Sequence, residues 1–270
     1  MRSIPPAAGV ADDARRSPVK VVRRAFLLLD LLTAAGGRLT LQQLTAQSEL
    51  PVGTVHRLLQ TLVHAGYVRQ NASKVYSLGP QMIWVGGNAG RVLGSWARTE
   101  LSKLVRATGE TASLAILDGH QAIYVGQSPS THNLRMLTEL GRRVPLHSTA
   151  AGKALLASLP DAQVDRLVSA ATLKAMTPAT ITTADGLHAE LRAIRDRGYA
   201  TELGEHEIGV TALAVAVPGP DQLAVTVSGP SNRLSADIGP QLQPLMLEVA
   251  TTLTRMSAAD DLAPPPPGQR

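Results

Sequence analysis

The sequence predicts an α+β protein of two domains, a helical N-terminal domain and a larger domain that combines strands with helices. A chain of 270 residues, of which 44% are hydrophobic, is long enough to bury two cores. Residues 39–79 have the pattern of helix, tight turn, helix and short hairpin. From residue 99 onward, strands joined by turns flank groups of helices, which indicates an antiparallel sheet covered by helices.

The N-terminal domain, residues 18–79, is predicted to begin after a disordered arm over residues 1–17. A first helix is expected over residues 19–35, and Gly36-Gly37 ends it. We expect one side of this helix to pack over the next two helices. The apolar residues on that side are Val22, Phe26, Leu29 and Leu32.

The second and third helices carry local start and stop signals. Thr40 is a good N-cap for the second helix, because Gln43 stands three residues later, as a capping box requires. Pro51 separates the two helices, since the residue before a proline avoids helical geometry. Gly66 ends the third helix as a C′ residue would. The third helix has an apolar stripe with helical spacing, formed by Val55, Leu58, Leu59 and Leu62.

Polar residues occupy the opposite side of the third helix, and a basic hairpin with a polar tip over residues 70–73 follows it. This order of elements is a winged helix-turn-helix, whose second helix fits the major groove of DNA. The alternative is an ordinary helical pair whose polar side faces water. Caps, stripe and basic hairpin in register favour DNA binding. The expected DNA contacts are Arg24, Thr40, Thr54, His56, Arg57, Gln60, Arg69 and Lys74.

Basic residues are concentrated in the first third of the chain. Residues 1–80 contain ten Lys and Arg against four Asp and Glu, whereas the remainder contains sixteen against seventeen. This asymmetry is typical of a polyanion-binding module joined to a domain with another role. A solvated tail and helix face would give the same count, so the interpretation depends on the position of these charges beside the helix-turn-helix.

Residues 80–98 are predicted to form a linker helix that takes part in dimerisation. Gly86, Gly90 and Gly94 recur every four residues, and a row of small residues lets two helix backbones approach closely. The alternative is a flexible, partly unwound connector, because each glycine costs about 1 kcal/mol relative to alanine in a helix.

The second domain is expected over residues 99–256, followed by a disordered, proline-rich tail over residues 257–270. Asp118-Gly119 is a strong turn signal between its first two strands. Ser148 or Thr149 is expected to cap the helix that follows them. The expected strands cover residues 111–117, 122–125, 210–217 and 223–227. The expected helices are one that ends at Gly109, one over residues 151–159, one that begins at residue 160, one over residues 183–198 and one over residues 239–256.

No catalytic motif is present in the second domain, and no metal or cofactor is predicted. His147 and Ser148 are the pair considered for a hydrolase of small amides or esters, but adjacent residues in a strand point to opposite faces. The acidic run around Glu202, Glu205 and His206 lacks a second histidine at the spacing of a ligand. Carboxylates in loops are usually solvated, so this run is interpreted as a solvated loop.

Two features of the second domain indicate a site for a small carboxylate instead. Thr226 and Ser228 alternate along one strand, so their hydroxyls share a face of the sheet. The helix that begins near residue 150 offers free backbone N–H groups, which favour an anion. The alternative is that both hydroxyls only satisfy local hydrogen bonds.

Composition restricts the cysteine chemistry and the cellular location that can be expected for the chain. Cysteine is absent, which excludes disulfides and thiolate metal sites. No apolar run approaches the roughly 20 residues of a membrane span, and the N-terminus lacks the apolar region of a signal peptide. A cytoplasmic location without membrane contact is therefore expected.

Several motifs in order make the chain resemble the IclR family of bacterial transcriptional regulators over about residues 18–256. In the first domain the resemblance rests on the segments RAFLLLDLL, LTLQQL, LPVGTVHRLLQTL and GYVR followed by YSLGP. In the second it rests on GRRVPLHSTAAGKALLA, RGYATE, EHEIGVTALAVAV and VSGPSNRL.

The resemblance implies a dimer or a dimer of dimers on a palindromic operator, and a GAF-like domain that senses an organic acid or aromatic compound. Ala212 stands where the family often has cysteine, and Glu202 is longer than its usual aspartate; both argue against glyoxylate or pyruvate. Val52-Gly53 replaces a common Lys-Ser, which indicates an atypical operator. The implied effector contacts are Ala150, Ala151, Glu202, Ala212, Thr226 and Ser228.

The sequence therefore predicts a transcriptional regulator, with repression as its expected action, whose operator binding responds to a small metabolite. Two alternatives belong to other classes. One is a small-molecule hydrolase with a DNA-binding appendage, which turnover abolished by Ser148→Ala would support. The other is a constitutive architectural DNA-binding protein, which would show no ligand-induced thermal shift.

Overall fold

A computed structural model describes residues 19–133, 136 and 139–260, and these divide into two compact units between Asn88 and Ala89. The predicted N-terminal arm over residues 1–17 lies outside the described residues, as do residues 261–270 of the predicted tail. Among the described residues, no helix combines the length and apolar character needed to cross a membrane.

The first unit is a winged helix-turn-helix, as predicted. Its sheet is antiparallel with the order β1-β3-β2. The elements are α1 (Lys20–Ala34), β1 (Arg38–Thr40), α2 (Leu41–Ser48), α3 (Val52–His64), β2 (Val68–Gln70) and β3 (Val75–Leu78). Strand β1 was not predicted, because three residues directly before a helix show no alternation of their own.

The local signals at α2 and α3 act as predicted. Thr40 caps α2, since its side chain accepts the N–H of Gln43 while the Gln43 side chain accepts the N–H of Thr40. Gly66 follows the end of α3 with φ of 79°, a left-handed conformation that suits glycine. Val55, Leu58 and Leu59 are buried in the core of this unit.

The predicted apolar side of α1 is wrong at two positions. Phe26 is 60% exposed and Val22 is 49% exposed, whereas Leu28, Leu29 and Leu32 are buried. The run from Phe26 to Leu32 is apolar on almost every side of a helix, so its periodicity does not fix which face packs inward.

The predicted linker helix is interrupted at its end. Helix α4 covers Gln81–Leu93, and a 3-10 turn over Ser95–Ala97 separates it from the next helix. A Cβ added at Gly86 or Gly90 would meet no atom within 4 Å, but one at Gly94 would lie 2.4 Å from the Val125 carbonyl oxygen. Gly94 therefore serves a close backbone approach within the chain, rather than a contact with a second helix.

The second unit is built on a six-stranded antiparallel sheet with the order β6-β5-β4-β9-β8-β7, and helices cover both of its faces. The strands are β4 (Thr111–Asp118), β5 (Gln121–Ser128), β6 (Arg143–Pro145), β7 (Ala200–Leu203), β8 (Val210–Val217) and β9 (Leu223–Pro230). The helices are α5 (Arg98–Thr108), α6 (Ala150–Ala157), α7 (Asp161–Ala170), α8 (Ala184–Arg197) and α9 (Gly239–Asp260). The short edge strands β6 and β7 were not predicted, and α9 extends four residues into the predicted tail.

The two faces of this sheet have different chemistry. Leu213, Val215 and Val225 belong to an aliphatic core that α5 and α9 share. Ala212 and Ala214 lie on the other face, where small side chains let α6 pack closely against β8 and β9. Three polar residues on this second face, Ser113, Glu202 and Thr226, are buried.

Candidate nucleic-acid interface and buried polar site

Helix α3 presents its polar side to solvent. His56, Arg57 and Gln60 are exposed and Thr54 is half-buried, while the apolar stripe on the opposite side packs into the core. The helix begins at Val52, where the carbonyl of Pro51 accepts the N–H groups of the first turn. Four of the predicted DNA contacts therefore share one accessible surface of one short helix.

The wing adds two exposed cations. Arg69 donates from Nε to the Ser77 hydroxyl at 3.1 Å across the hairpin. Lys74 stands at the tip with φ of 58°, a left-handed conformation uncommon outside glycine. The Asn71 carboxamide accepts the N–H of Val75 at 2.9 Å and shapes the turn.

The other two predicted contacts have different surroundings. Thr40 is half-buried, and its hydroxyl is occupied by the capping box described above. Arg24 is half-buried on α1. The structure thus groups Thr54, His56 and Arg57 on α3 and gives Thr40 a role in starting α2.

The predicted effector residues of the sheet meet in one place. Glu202 pairs with Ala212 across β7 and β8, and Ala212 pairs with Ser228 across β8 and β9. Thr226 lies two residues from Ser228 and so shares its face. These residues and the start of α6, Ala150 and Ala151, are called the buried polar site below.

Glu202 is the central ionisable group of the buried polar site and is only 5% exposed. Its carboxylate accepts the backbone N–H of His206 at 3.2 Å and is also approached by the N–H of Ala150. Burial raises the pKa of Glu202 to about 7, although these two N–H groups oppose the rise. The interpretation of this acidic run as a solvated loop is therefore wrong, because Glu202 lies on a strand beneath α6.

Two hydroxyls of the sheet lack hydrogen-bond partners within the part of the chain that the structure describes. They are Oγ1 of Thr226, 1% exposed, and Oγ of Ser113. Both residues are directly paired across β9 and β4. Thr226 therefore satisfies no local hydrogen bond among the described residues, and burying a hydroxyl without a partner costs about 1–3 kcal/mol.

Sequence reasoning missed three residues near the buried polar site. Burial and the nearby charge of Glu202 raise the pKa of Tyr124, while Arg142 opposes that rise. Ser113 had a readable signal, because Thr111 and Ser113 alternate on β4 in the way that Thr226 and Ser228 alternate on β9. Tyr124 and Arg142 had none, since their placement depends on how β5 pairs with β4 and with β6.

A buried ion-pair network lies beside this site. Lys153 on α6 is 1% exposed, and its Nζ is 2.6 Å from Glu205 and 3.6 Å from Glu190. Arg197 also binds Glu190, at 2.7 Å. Burial raises the pKa of Glu205, and Lys153 opposes that rise. No group of three His, Cys, Asp or Glu side chains suited to a metal ion occurs among the described residues.

The residues considered for hydrolysis are directed to different partners. Nε2 of His147 is 3.0 Å from the carbonyl oxygen of Lys174, and Oγ of Ser148 is 3.2 Å from Nδ1 of His206. Burial, followed by the charge of Arg142, lowers the pKa of His206. Ser148 thus faces a histidine other than the predicted one.

An exposed polar helix with a basic wing, joined to a domain with a buried polar site, defines a DNA-binding regulator with a ligand-binding domain. Comparison with known proteins agrees. The model of the IclR helix-turn-helix domain matches residues 21–72, and that of the bacterial transcriptional regulator IclR C-terminal domain matches residues 91–255. The chain belongs to the IclR family of bacterial transcriptional regulators.

Individual relatives cover most of the chain. The transcriptional repressor IclR of Escherichia coli is 32% identical over 253 residues, which are 91% of this chain and 92% of that protein. The HTH-type transcriptional repressor AllR of Escherichia coli is 30% identical over 85% of this chain and 87% of its own length. The crystal structure of a regulator from Alicyclobacillus acidocaldarius has a TM-score of 0.79 at 27% identity, covering 89% of this chain and all of that one.

Family membership decides between the classes considered from the sequence. The chain is a DNA-binding transcriptional regulator whose second domain is an effector domain, as predicted. The family consists of regulators rather than enzymes, so the hydrolase alternative is not retained.

Proposed function

We propose that this regulator is a repressor that binds a palindromic operator through α3 and the wing and acts in the cytoplasm. Repression is favoured by two relatives at 30% identity or more that are named repressors. On α3, Thr54, His56 and Arg57 are placed to meet base edges or phosphates in the major groove, with Gln60 one turn further on. Arg69 and Lys74 on the wing, together with Arg24, would contact the phosphate backbone.

Pairing of two copies as a dimer, or as a dimer of dimers, is part of the proposal. The first unit exposes large apolar side chains on α1 and α4, with Phe26 at 60%, Ile83 at 79% and Trp84 at 67%. Exposed groups of this size are typical of surfaces that a partner covers. A two-fold dimer would present two copies of α3 to two half-sites, which is why a palindrome is expected. A monomeric mass by light scattering at micromolar concentration would contradict this arrangement.

The buried polar site is proposed to hold the effector, an organic acid or aromatic compound. The hydroxyl of Thr226, which has no partner among the described residues, and the N–H groups at the start of α6 can donate hydrogen bonds to a carboxylate. A protonated Glu202 can also donate to that carboxylate, and its raised pKa makes the protonated form available near neutral pH. Ala212 leaves room for a larger ligand than a cysteine would.

The observation that carries the DNA-binding proposal is the exposed position of Arg57 on α3. In a mobility-shift titration of the promoter upstream of its own gene, Arg57→Ala is expected to weaken binding by about 1–3 kcal/mol, the size of one bidentate base contact. Arg166→Ala, an exposed arginine on α7, serves as the matched control and should bind like the wild type.

Two outcomes would contradict this proposal. Equal affinity of Arg57→Ala and the wild-type protein would mean that α3 does not enter the groove as described. Equal affinity of the wild-type protein for its promoter and for random duplex, at moderate salt, would instead favour the architectural alternative.

A further inference from the structure

The second unit contains a cavity of about 740 Å³ whose lining includes no residue of the buried polar site. Its walls come from the β4–β5 turn over residues 118–121, the chain over residues 142–147, α7 and the loop over residues 172–176. Cavities of roughly 300–1,000 Å³ are typical of small-molecule sites. None of the predicted effector residues lines this cavity.

The inner wall of the cavity is apolar. Leucine side chains from α6, α7 and α8 meet there, and the loop after α7 adds a further leucine and a methionine. Of the apolar lining residues, Leu156 and Leu187 are buried, Leu167 and Leu173 are half-buried, and Met176 is 42% exposed. A ligand body with little hydrogen-bonding capacity would be stabilised against this wall by burial of its surface.

The rim of the cavity is positively charged. Asp118 is the one acidic residue of the lining, and it is bound to Arg143 at 2.6 Å. Arg142 and Lys174 also line the cavity, and neither forms an ion pair within the described residues. Arg142 is close enough to His206 for its charge to lower the pKa of that ring. Three lining histidines, among them His147 and His206, can donate further hydrogen bonds.

We propose that this cavity is a second ligand site, which binds an organic carboxylate with an apolar body, its carboxylate held by Arg142 and Lys174. The apolar wall and the unpaired cations of the rim match the two ends of such a molecule. Arg142 and Lys174 are exposed, and the guanidinium of Arg142 can donate two parallel hydrogen bonds to one carboxylate. The lining of this cavity is separate from the buried polar site, so its ligand requires neither the operator nor the effector proposed above.

His206 connects the cavity with the buried polar site. Its ring lines the cavity, its Nδ1 is 3.2 Å from Ser148 before α6, and its backbone N–H donates to Glu202. A carboxylate beside Arg142 would partly neutralise the charge that lowers the pKa of the His206 ring. Occupation of the cavity would therefore alter the surroundings of Glu202, so a ligand bound at one site would change the affinity of the other site for its own ligand.

The test uses the full-length protein and three probes of this class: octanoate, 4-phenylbutanoate and 2-naphthoate, each compared with its primary amide. In calorimetric titrations, at least one acid is expected to bind, and its amide at least about tenfold more weakly, because the amide lacks the charge that the rim recognises. Failure of all three acids to bind, or equal binding of acid and amide, would overturn the proposal.

Variants then locate the bound acid. Removing both rim cations in Arg142→Met/Lys174→Met is expected to weaken binding by at least about tenfold. Arg192→Met, an exposed arginine on α8 outside the cavity, is the matched control and should leave the affinity unchanged. Thr226→Val alters only the buried polar site and should weaken binding far less than the double variant does. Loss of binding in Thr226→Val with retention in the double variant would overturn the proposal and assign the acid to the buried polar site.

Discussion

Arg57 on α3 and Lys153 on α6 are both cations on short helices, yet Arg57 is exposed while Lys153 is 1% exposed. Arg57 forms no ion pair in the described part of the chain, whereas Lys153 is bound by Glu205 and Glu190. The polar side chains of α3 in the first unit are thus exposed to solvent and accessible to an external polyanion. The second unit encloses its polar chemistry, where a change of charge or ligand alters the packing around it.

This difference separates the consequences of mutation. An exposed group whose partner is external can be removed with little loss of stability, because water replaces the contact that it makes. A buried charge cannot be removed without a large loss of stability, because its counter-ion is then left uncompensated in a medium of low dielectric constant. Substitutions in the first unit should therefore change binding, and substitutions around α6 should change the free energy of unfolding.

The largest effect is expected for Lys153→Met. The substitution leaves Glu205 and Glu190 without this buried counter-charge, so the free energy of unfolding should fall by about 3–5 kcal/mol, measured by urea denaturation at pH 7. The matched control is Arg143→Met, whose ion pair with Asp118 is exposed on both sides (53% and 49%) and which should lose less than about 1 kcal/mol. A loss for Lys153→Met as small as that of the control would remove the contrast between the two regions.

The second effect concerns pH. The pKa of Glu202 is about 7 in the folded protein, above its ordinary value of 4.5, so the folded state binds the proton more tightly than the unfolded chain. The stability that protonated Glu202 contributes is complete below pH 4.5 and is lost as pH rises through 7, by up to about 3 kcal/mol. Glu202→Gln should lack this loss and exceed the wild-type free energy of unfolding at pH 8 by about 1–3 kcal/mol.

Urea denaturation at pH 5 and pH 8 measures this pH dependence. Glu248→Gln is the control, since the Glu248 side chain is 66% exposed and its removal should not alter the pH profile. If Glu202→Gln showed the same decline between pH 5 and pH 8 as the wild-type protein, the buried carboxyl would not be its source.

The smallest effect is expected at the wing. Lys74 occupies a left-handed conformation that glycine adopts more readily, so Lys74→Gly should raise the free energy of unfolding by up to about 1 kcal/mol. The same change removes a cation from the proposed phosphate contacts and should reduce the salt dependence of operator binding by about one ion. Lys20→Gly on α1, where glycine is unfavourable, should by contrast lower stability. An unchanged salt dependence for Lys74→Gly would mean that the wing does not touch the backbone of DNA.

The first unit could be predicted in detail because its signals are local. The capping box of Thr40 and Gln43 joins residues three apart, and Gly66 ends α3 through its own backbone conformation. The face of α1 could not be predicted, since the apolar run around Phe26 offers several equivalent stripes. The side of α1 that is buried is decided by where the other helices of the unit pack against it.

The buried polar site could be predicted only by its residues and not by its contacts. The alternation of Thr226 and Ser228 was readable, but their pairing with Ser113 and Ala212 depends on the register of β9 between β4 and β8. Glu202 lies on β7, a strand of four residues that is too short to show a period. No pattern in the sequence places its carboxylate at the N–H of Ala150.

The sequence by itself determined the order of the helices and of every strand except β1, β6 and β7. It also determined the concentration of basic charge at the N-terminus and the polar side of α3, since caps, turns and helical periodicity act between residues a few positions apart. The tertiary structure alone decided the ion pairs of Lys153, the raised pKa of Glu202 and the cavity lined by Arg142 and Lys174. Those properties depend on burial and on distances between residues that lie tens of positions apart in the chain, and both arise only when the sheet and its covering helices assemble.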